Sequence, residues 1–155
     1  MADYSKAASG LKARIDAKVK RRLDLDAFFE ELRTGISKEV EKANAELTKE
    51  GAPKIEVQRA SVGEPTIELR CNKATCDVSQ DRSTPSIGAV VTGEAGEKTI
   101  TYHVLLEESP LKARRLSPTS ETGQKRLSLT SEIEGKVDVV QIASTFVEEL
   151  ISGAP

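Results

Sequence analysis

At 155 residues the chain has the length of one ordinary domain, enough to bury about two-thirds of its unfolded surface in a single core. Hydrophobic residues make up 37% and charged residues 31%, a polar balance, yet the apolar positions are periodic, which separates this chain from disordered ones. The net charge of −2 excludes a whole-surface attraction to nucleic acid or anionic membrane and leaves only a local one. No run of about 18 apolar residues occurs, and MADYSKAASG lacks the apolar centre of a secretory signal, so a soluble, cytoplasmic protein without membrane contact is expected. Two cysteines do not make a disulfide-rich scaffold and agree with a reducing compartment.

From Ala7 to Leu23 the apolar residues Leu11, Ile15, Val19 and Leu23 step by four, a stripe that drifts by about 40° per step on a straight helix. From Leu25 the stripe Leu25, Phe28, Phe29, Leu32, Ile36, Val40, Ala43 and Leu47 holds one face, with Glu30, Arg33, Lys38, Glu41 and Lys42 on the back. The two stripes are out of phase. A break or bend is therefore expected at Leu23-Asp24-Leu25-Asp26, where either aspartate suits an N-cap. An unbroken helix through Leu47 would instead be about 60 Å long, roughly twice the width of such a domain, and its first half would project in need of a partner. Gly51 and Pro53 end the second stripe.

The periodicity then changes to two. Ile55 and Val57, then Ile67 and Leu69, read as a hairpin around Val62-Gly63-Glu64-Pro65, and Cys76 to Val78 as a third strand or an extension of the second. Residues 87–92 and 98–106 form the strongest pair. A turn at Ala95-Gly96 sets Val91 opposite Ile100, Ala89 opposite Tyr102 and Ile87 opposite Val104, all on one face, with Thr99, Thr101 and His103 on the other. Residues 107–125, with two Ser-Pro steps and a basic cluster, read as a long surface loop with one helical turn at Leu111 to Leu116. Leu127 and Leu129 permit a last strand at the sheet edge. Val139 to Ile151 is a second helix, opened by an Asp138/Gln141 capping box and a Val137/Ile142 staple and stopped by Gly153.

The fold class expected is α+β: a helical N-terminal region of two helices or one long bent helix, an antiparallel meander of about five or six strands, and a C-terminal helix on the same face. Residues 1–155 read as one domain, with a basic helical arm at 1–23 and an α+β body at 24–155. The helix from Leu25 is expected to cover the apolar sheet face with the C-terminal helix alongside, which brings Phe28 and Phe29 near Tyr102 or its strand neighbours and leaves the Thr99, Thr101 and His103 face as the place for a pocket.

Chemistry is sparse. Cys71 and Cys76 bracket four residues; as a four-residue hairpin loop these place the two cysteines opposite each other, either as buried reduced thiols or as a redox pair. The spacing is not C-x-x-C, and zinc needs four ligands where the chain offers these two and one histidine, so neither a metal nor a cofactor is expected. His103 lacks a nucleophile or orienting partner identifiable in sequence, no G-x-S-x-G, H-E-x-x-H or phosphate-cradling loop occurs, and no catalytic residue is assigned. Arg114 to Ser117 and Lys125 to Ser128 have the pattern of basophilic kinase sites, a pattern too short to weigh heavily. Lys12, Arg14, Lys18, Lys20, Arg21 and Arg22 are opposed only by Asp16 and contain no aromatic among them. The leading reading is a non-enzymatic binding or assembly module, a subunit, adaptor or chaperone-like protein with a protein partner or a second copy of itself. Nucleic-acid or polyanion binding through Lys12 to Arg22 is the alternative, and an enzyme without a recognisable motif the third.

Overall fold

The computed structural model describes residues 3–58, 66–81, 83–106, 110–119, 126–128 and 135–154. Among these residues two helices, α1 (Ser5–Lys49) and α2 (Val139–Gly153), cover one face of an antiparallel sheet. The strands are β1 (Ile55–Gln58), β2 (Thr66–Cys71), β3 (Ala74–Asp81), β4 (Ser86–Gly93), β5 (Gly96–Leu105), β6 (Lys112–Thr119), β7 (Arg126–Ser128) and β8 (Lys136–Val137). The first seven lie side by side in chain order, and β8 pairs with β6. The class is α+β as the alternation predicts, with eight strands among the described residues instead of five or six.

α1 runs through Leu23-Asp24-Leu25-Asp26 without a break, 45 residues or about 67 Å. Neither aspartate caps a helix: Asp24 Oδ2 takes Lys20 Nζ at 3.1 Å, and Asp26 Oδ1 accepts a hydrogen bond from Gln80 Nε2 at 3.0 Å. The phase shift that suggested a break marks the point where the helix leaves the core. From Leu25 on, Leu25, Phe28, Phe29, Leu32, Ile36 and Val40 are buried, whereas Leu11 through Leu23 are all exposed. Arg33, expected on the wet back, is buried with its Nε 3.0 Å from Glu30 Oε2 and its guanidinium 5.4 Å from the Phe29 ring centre. Gly51, in the left-handed conformation at φ 68°, ends α1 as its position predicts.

Alternation fixes the faces, and turn chemistry fixes the register. Ile67, Leu69 and Cys71 of β2 oppose Val78, Cys76 and Ala74 of β3, so the turn is the two residues Asn72-Lys73, with Asn72 at φ 55°, and the cysteines are not opposite each other. In the β4–β5 hairpin Gly93 opposes Gly96 around Glu94-Ala95, which places Ile87 opposite Tyr102, Ala89 opposite Ile100 and Val91 opposite Lys98. The pairing is displaced by two residues from the expected one. A shift of two preserves the faces, and Ile87, Ala89, Val91, Ile100, Tyr102 and Val104 are all buried together. β1 pairs with β2 as expected; the turn at 62–65 lies outside the described residues. Ile55 is additionally clamped by Asn44, whose Oδ1 accepts from its N–H at 2.7 Å and whose Nδ2 donates to its C=O at 3.1 Å.

The helical turn expected at Leu111 to Leu116 is a strand instead: Lys112 to Leu116 of β6 pair with β5, and Ser117 to Thr119 pair with β7. Within the span 107–125, Lys112–Thr119 therefore contribute to the sheet, and residues 107–109 and 120–125 lie outside the described residues. Pro118 is tolerated because β6 no longer pairs with β5 at that point. β7 is the expected edge strand; Leu129 lies outside the described residues.

α2 begins with the capping box, Gln141 N–H donating to Asp138 Oδ1 and Asp138 N–H to Gln141 Oε1, both at 3.0 Å. Val137 and Ile142, the staple pair, are buried. Gly153 is the last helical residue, not a stop beyond it, and accepts a hydrogen bond from Glu94 N–H at 3.2 Å. A Cβ on Gly93 would run into the Gly153 backbone, so this glycine permits the helix end to rest on the β4–β5 hairpin. α2 approaches β2, β3 and β4, while α1 lies against α2 and β1. Gly35 is the crossing point of the helices, with space for a Cβ only 3.2 Å from Val139 Cγ1. The aromatic neighbour of Tyr102 is Phe146 of α2, edge-on at 5.8 Å.

Candidate functional site

The continuous helix fixes how the basic residues of α1 are phased against its core-facing stripe. At about 100° per residue Arg14, Lys18, Arg21 and Arg22 occupy one sector of about 100°, the same sector that farther along carries Leu25, Leu32 and Ile36 toward the core. Lys12 and Lys20 lie outside it. Four of the six predicted cations are thus an extension of the core-facing side, overhanging the body. All six are exposed.

Beneath this overhang, where α1 meets the β3–β4 connection and the end of β5, lies a cavity of about 430 Å³. Lys18, Arg21 and Arg22 line it together with Val19, Leu25, Ser83, Pro85 and Leu106. Ser83 is held by Asp81, whose Oδ1 accepts from Ser83 Oγ at 2.7 Å and Ser83 N–H at 3.0 Å; these bonds hold the Asp81 carboxyl below the usual carboxylate range. Ser83, Pro85 and Leu106 carry no sequence signal for such a role. The common sector of the four cations follows from their spacing alone, and its alignment with the core-facing stripe follows from the unbroken helix.

On the flank of the arm Leu11, Ile15, Val19 and Leu23 are 52%, 51%, 41% and 58% exposed, an apolar stripe that winds away from the basic sector. Nothing among the described residues covers it.

The opposite sheet face holds Thr99 exposed, Thr101 buried and His103 half-buried, with His103 opposite Ser86 and Arg114. A cleft of about 90 Å³ on this side is lined by Gln58, Glu68, Arg70, Thr75 and Asp77 on β1 to β3, not by His103. Cys71 and Cys76 are free and buried on the core face. Burial pushes the Cys71 thiol up, and burial followed by the Asp77 charge pushes Cys76 up to about 12, which leaves Cys76 without thiolate character at neutral pH. Among the described residues no three His, Cys, Asp or Glu side chains converge as metal ligands, and no helix is long and apolar enough to cross a membrane. Compared with family models, curated proteins and solved structures, the chain matches none.

Proposed function

We propose that the chain is a non-enzymatic assembly module that pairs with a second copy of itself through the projecting half of α1. The observation that supports this is the uncovered stripe Leu11, Ile15, Val19 and Leu23 on a helix whose other half is buried. Charge selects the occupant. Residues 1–22 carry seven Lys and Arg against two Asp, a net +5, which leaves −7 on the remaining residues. Arm against arm sets +5 against +5, whereas an arm on the body of a second copy joins opposite signs, and a two-fold arrangement lets both arms do so.

Sedimentation of the purified chain at tens of micromolar tests the reading: a dimer that weakens as salt is raised is the expected result, and a clean monomer refutes it. The alternative, nucleic-acid binding, has the four aligned cations in its favour and lacks an aromatic stacking surface beside them. Failure to shift duplex or single-stranded probes at about 50 mM salt ends it.

A further inference from the structure

We propose that the corner between the arm and the body is a binding site for a small phosphorylated molecule with an apolar body. The site goes beyond the assembly reading and does not depend on it, since it lies on the inner side of α1 while Ile15 and Leu23 wind onto the flank; Val19 alone borders both.

Three observations converge. The cavity of about 430 Å³ has the size of a small-molecule pocket, which typically measures about 300–1,000 Å³. Its walls divide by chemistry: Lys18, Arg21 and Arg22 present positive charge, and Val19, Leu25, Pro85 and Leu106 present hydrocarbon. No carboxylate lines it among the described residues.

The third observation is the state of the cations. Elsewhere on α1, Lys20, Arg33, Lys42 and Lys49 each hold a carboxylate three or four residues away, at 3.1, 3.0, 3.4 and 3.2 Å. Among the described residues Lys18, Arg21 and Arg22 hold none. The acids within reach in sequence are engaged, Asp24 by Lys20 and Asp26 by Gln80. Asp81, beside the cavity, is engaged by Ser83 and Thr84. Like charges at i,i+4, as in Arg14, Lys18 and Arg22, destabilise a helix by a few tenths of a kcal/mol per pair, a repulsion that a bound dianion relieves. Two arginine forks and a lysine suit phosphate oxygens, since the guanidinium donates in parallel pairs. The apolar wall contains no aromatic, so it favours the body of a small ligand over stacked bases of a nucleic acid strand.

Calorimetric titration of the full chain tests the site with three probes: 1-naphthyl phosphate, inorganic phosphate as the anion alone, and 1-naphthol as the apolar body alone. The expected result is that 1-naphthyl phosphate binds about tenfold tighter than either fragment. The double variant Arg21→Gln/Arg22→Gln then loses about tenfold or more, while Lys6→Gln/Lys12→Gln, with the same change in charge outside the basic sector, changes by less than about twofold. Equal losses in the two double variants overturn the proposal, because they show a diffuse charge effect. So does 1-naphthol binding as tightly as 1-naphthyl phosphate, absence of heat at millimolar probe, or displacement of 1-naphthyl phosphate by a single-stranded oligonucleotide at lower phosphate concentration. All four positions are exposed and glutamine is a good helix former, so circular dichroism should show unchanged folding. Sedimentation of the same variants separates this result from self-association.

Discussion

Replacing Ile15 and Leu23 by glutamine should dissociate the protein without unfolding it. Each is about half exposed, so complete burial in a partner adds about 1 kcal/mol per side chain, half of the roughly 1.5–3 kcal/mol for an aliphatic residue. The four residues of the stripe together contribute about 4 kcal/mol per arm, or about 8 kcal/mol in a two-fold dimer. That is comparable to the about 4–15 kcal/mol cost of immobilising two molecules, so charge attraction decides whether the dimer is populated. Removing two of the four costs about 4 kcal/mol per dimer, about three orders of magnitude in Kd. Folding stability should change by less than about 0.5 kcal/mol, because neither side chain touches the core and glutamine preserves helix propensity. Sedimentation equilibrium reads the first quantity and thermal circular dichroism the second. An unchanged association constant would refute the stripe as the contact, and a fall of many degrees in Tm would show that it belongs to the fold.

Four further outcomes are expected. Phe29→Ala should cost about 3–5 kcal/mol in urea unfolding, since the ring is buried beneath the Arg33 guanidinium; a loss below about 1 kcal/mol contradicts its place in the core. Asn44→Ala strips both backbone groups of Ile55 of their partners and should cost about 2–4 kcal/mol, with faster amide exchange at Ile55 as the local signature. Gly93→Ala should lower stability by about 1–3 kcal/mol, because the obstacle is the Gly153 backbone and not a side chain that can rotate away. Cys76 has its thiol raised in the folded state to about 12, so the stabilisation from burying it protonated is complete below the unfolded value of about 8.5–9 and is lost as pH rises toward 12. The stability of the parent chain should therefore fall more steeply than that of Cys76→Ala above pH 9, by up to about 1.4 kcal/mol per pH unit, and parallel curves would show that the thiol titrates normally.

What the sequence made legible was whatever is local and periodic. The stripe from Leu25, the Asp138/Gln141 cap and the parity of the strands each follow from spacing within a few residues. The registers were less legible, because they depend on which two residues turn: Asn72 adopts the left-handed conformation, and the β4–β5 turn falls on Glu94-Ala95, one position earlier than expected. β6 was hidden because Arg114 and Arg115 are consecutive and both half-buried, so no alternation marks the strand. The corner cavity joins Arg21 to Pro85 and Leu106 across more than sixty positions, a proximity that no spacing rule contains. The break expected at Asp24 was a misreading of phase. A stripe must keep register only while it has a core to face, and beyond Leu25 toward Ser5 this helix has none.

That continuity also sets the order in which the helix can melt. Starting an isolated helix requires fixing a first turn at a penalty of about a thousandfold, after which each added residue is close to neutral. In α1 the packed turns from Leu25 to Val40 serve as the nucleus, and the turns before them extend it by propagation alone. Amide exchange should then slow progressively from Ser5 toward Leu25 and reach the rate of global unfolding only in the buried turns. A partner or ligand meeting the arm encounters a rod that is already formed, and little of its interaction energy is lost to ordering the chain.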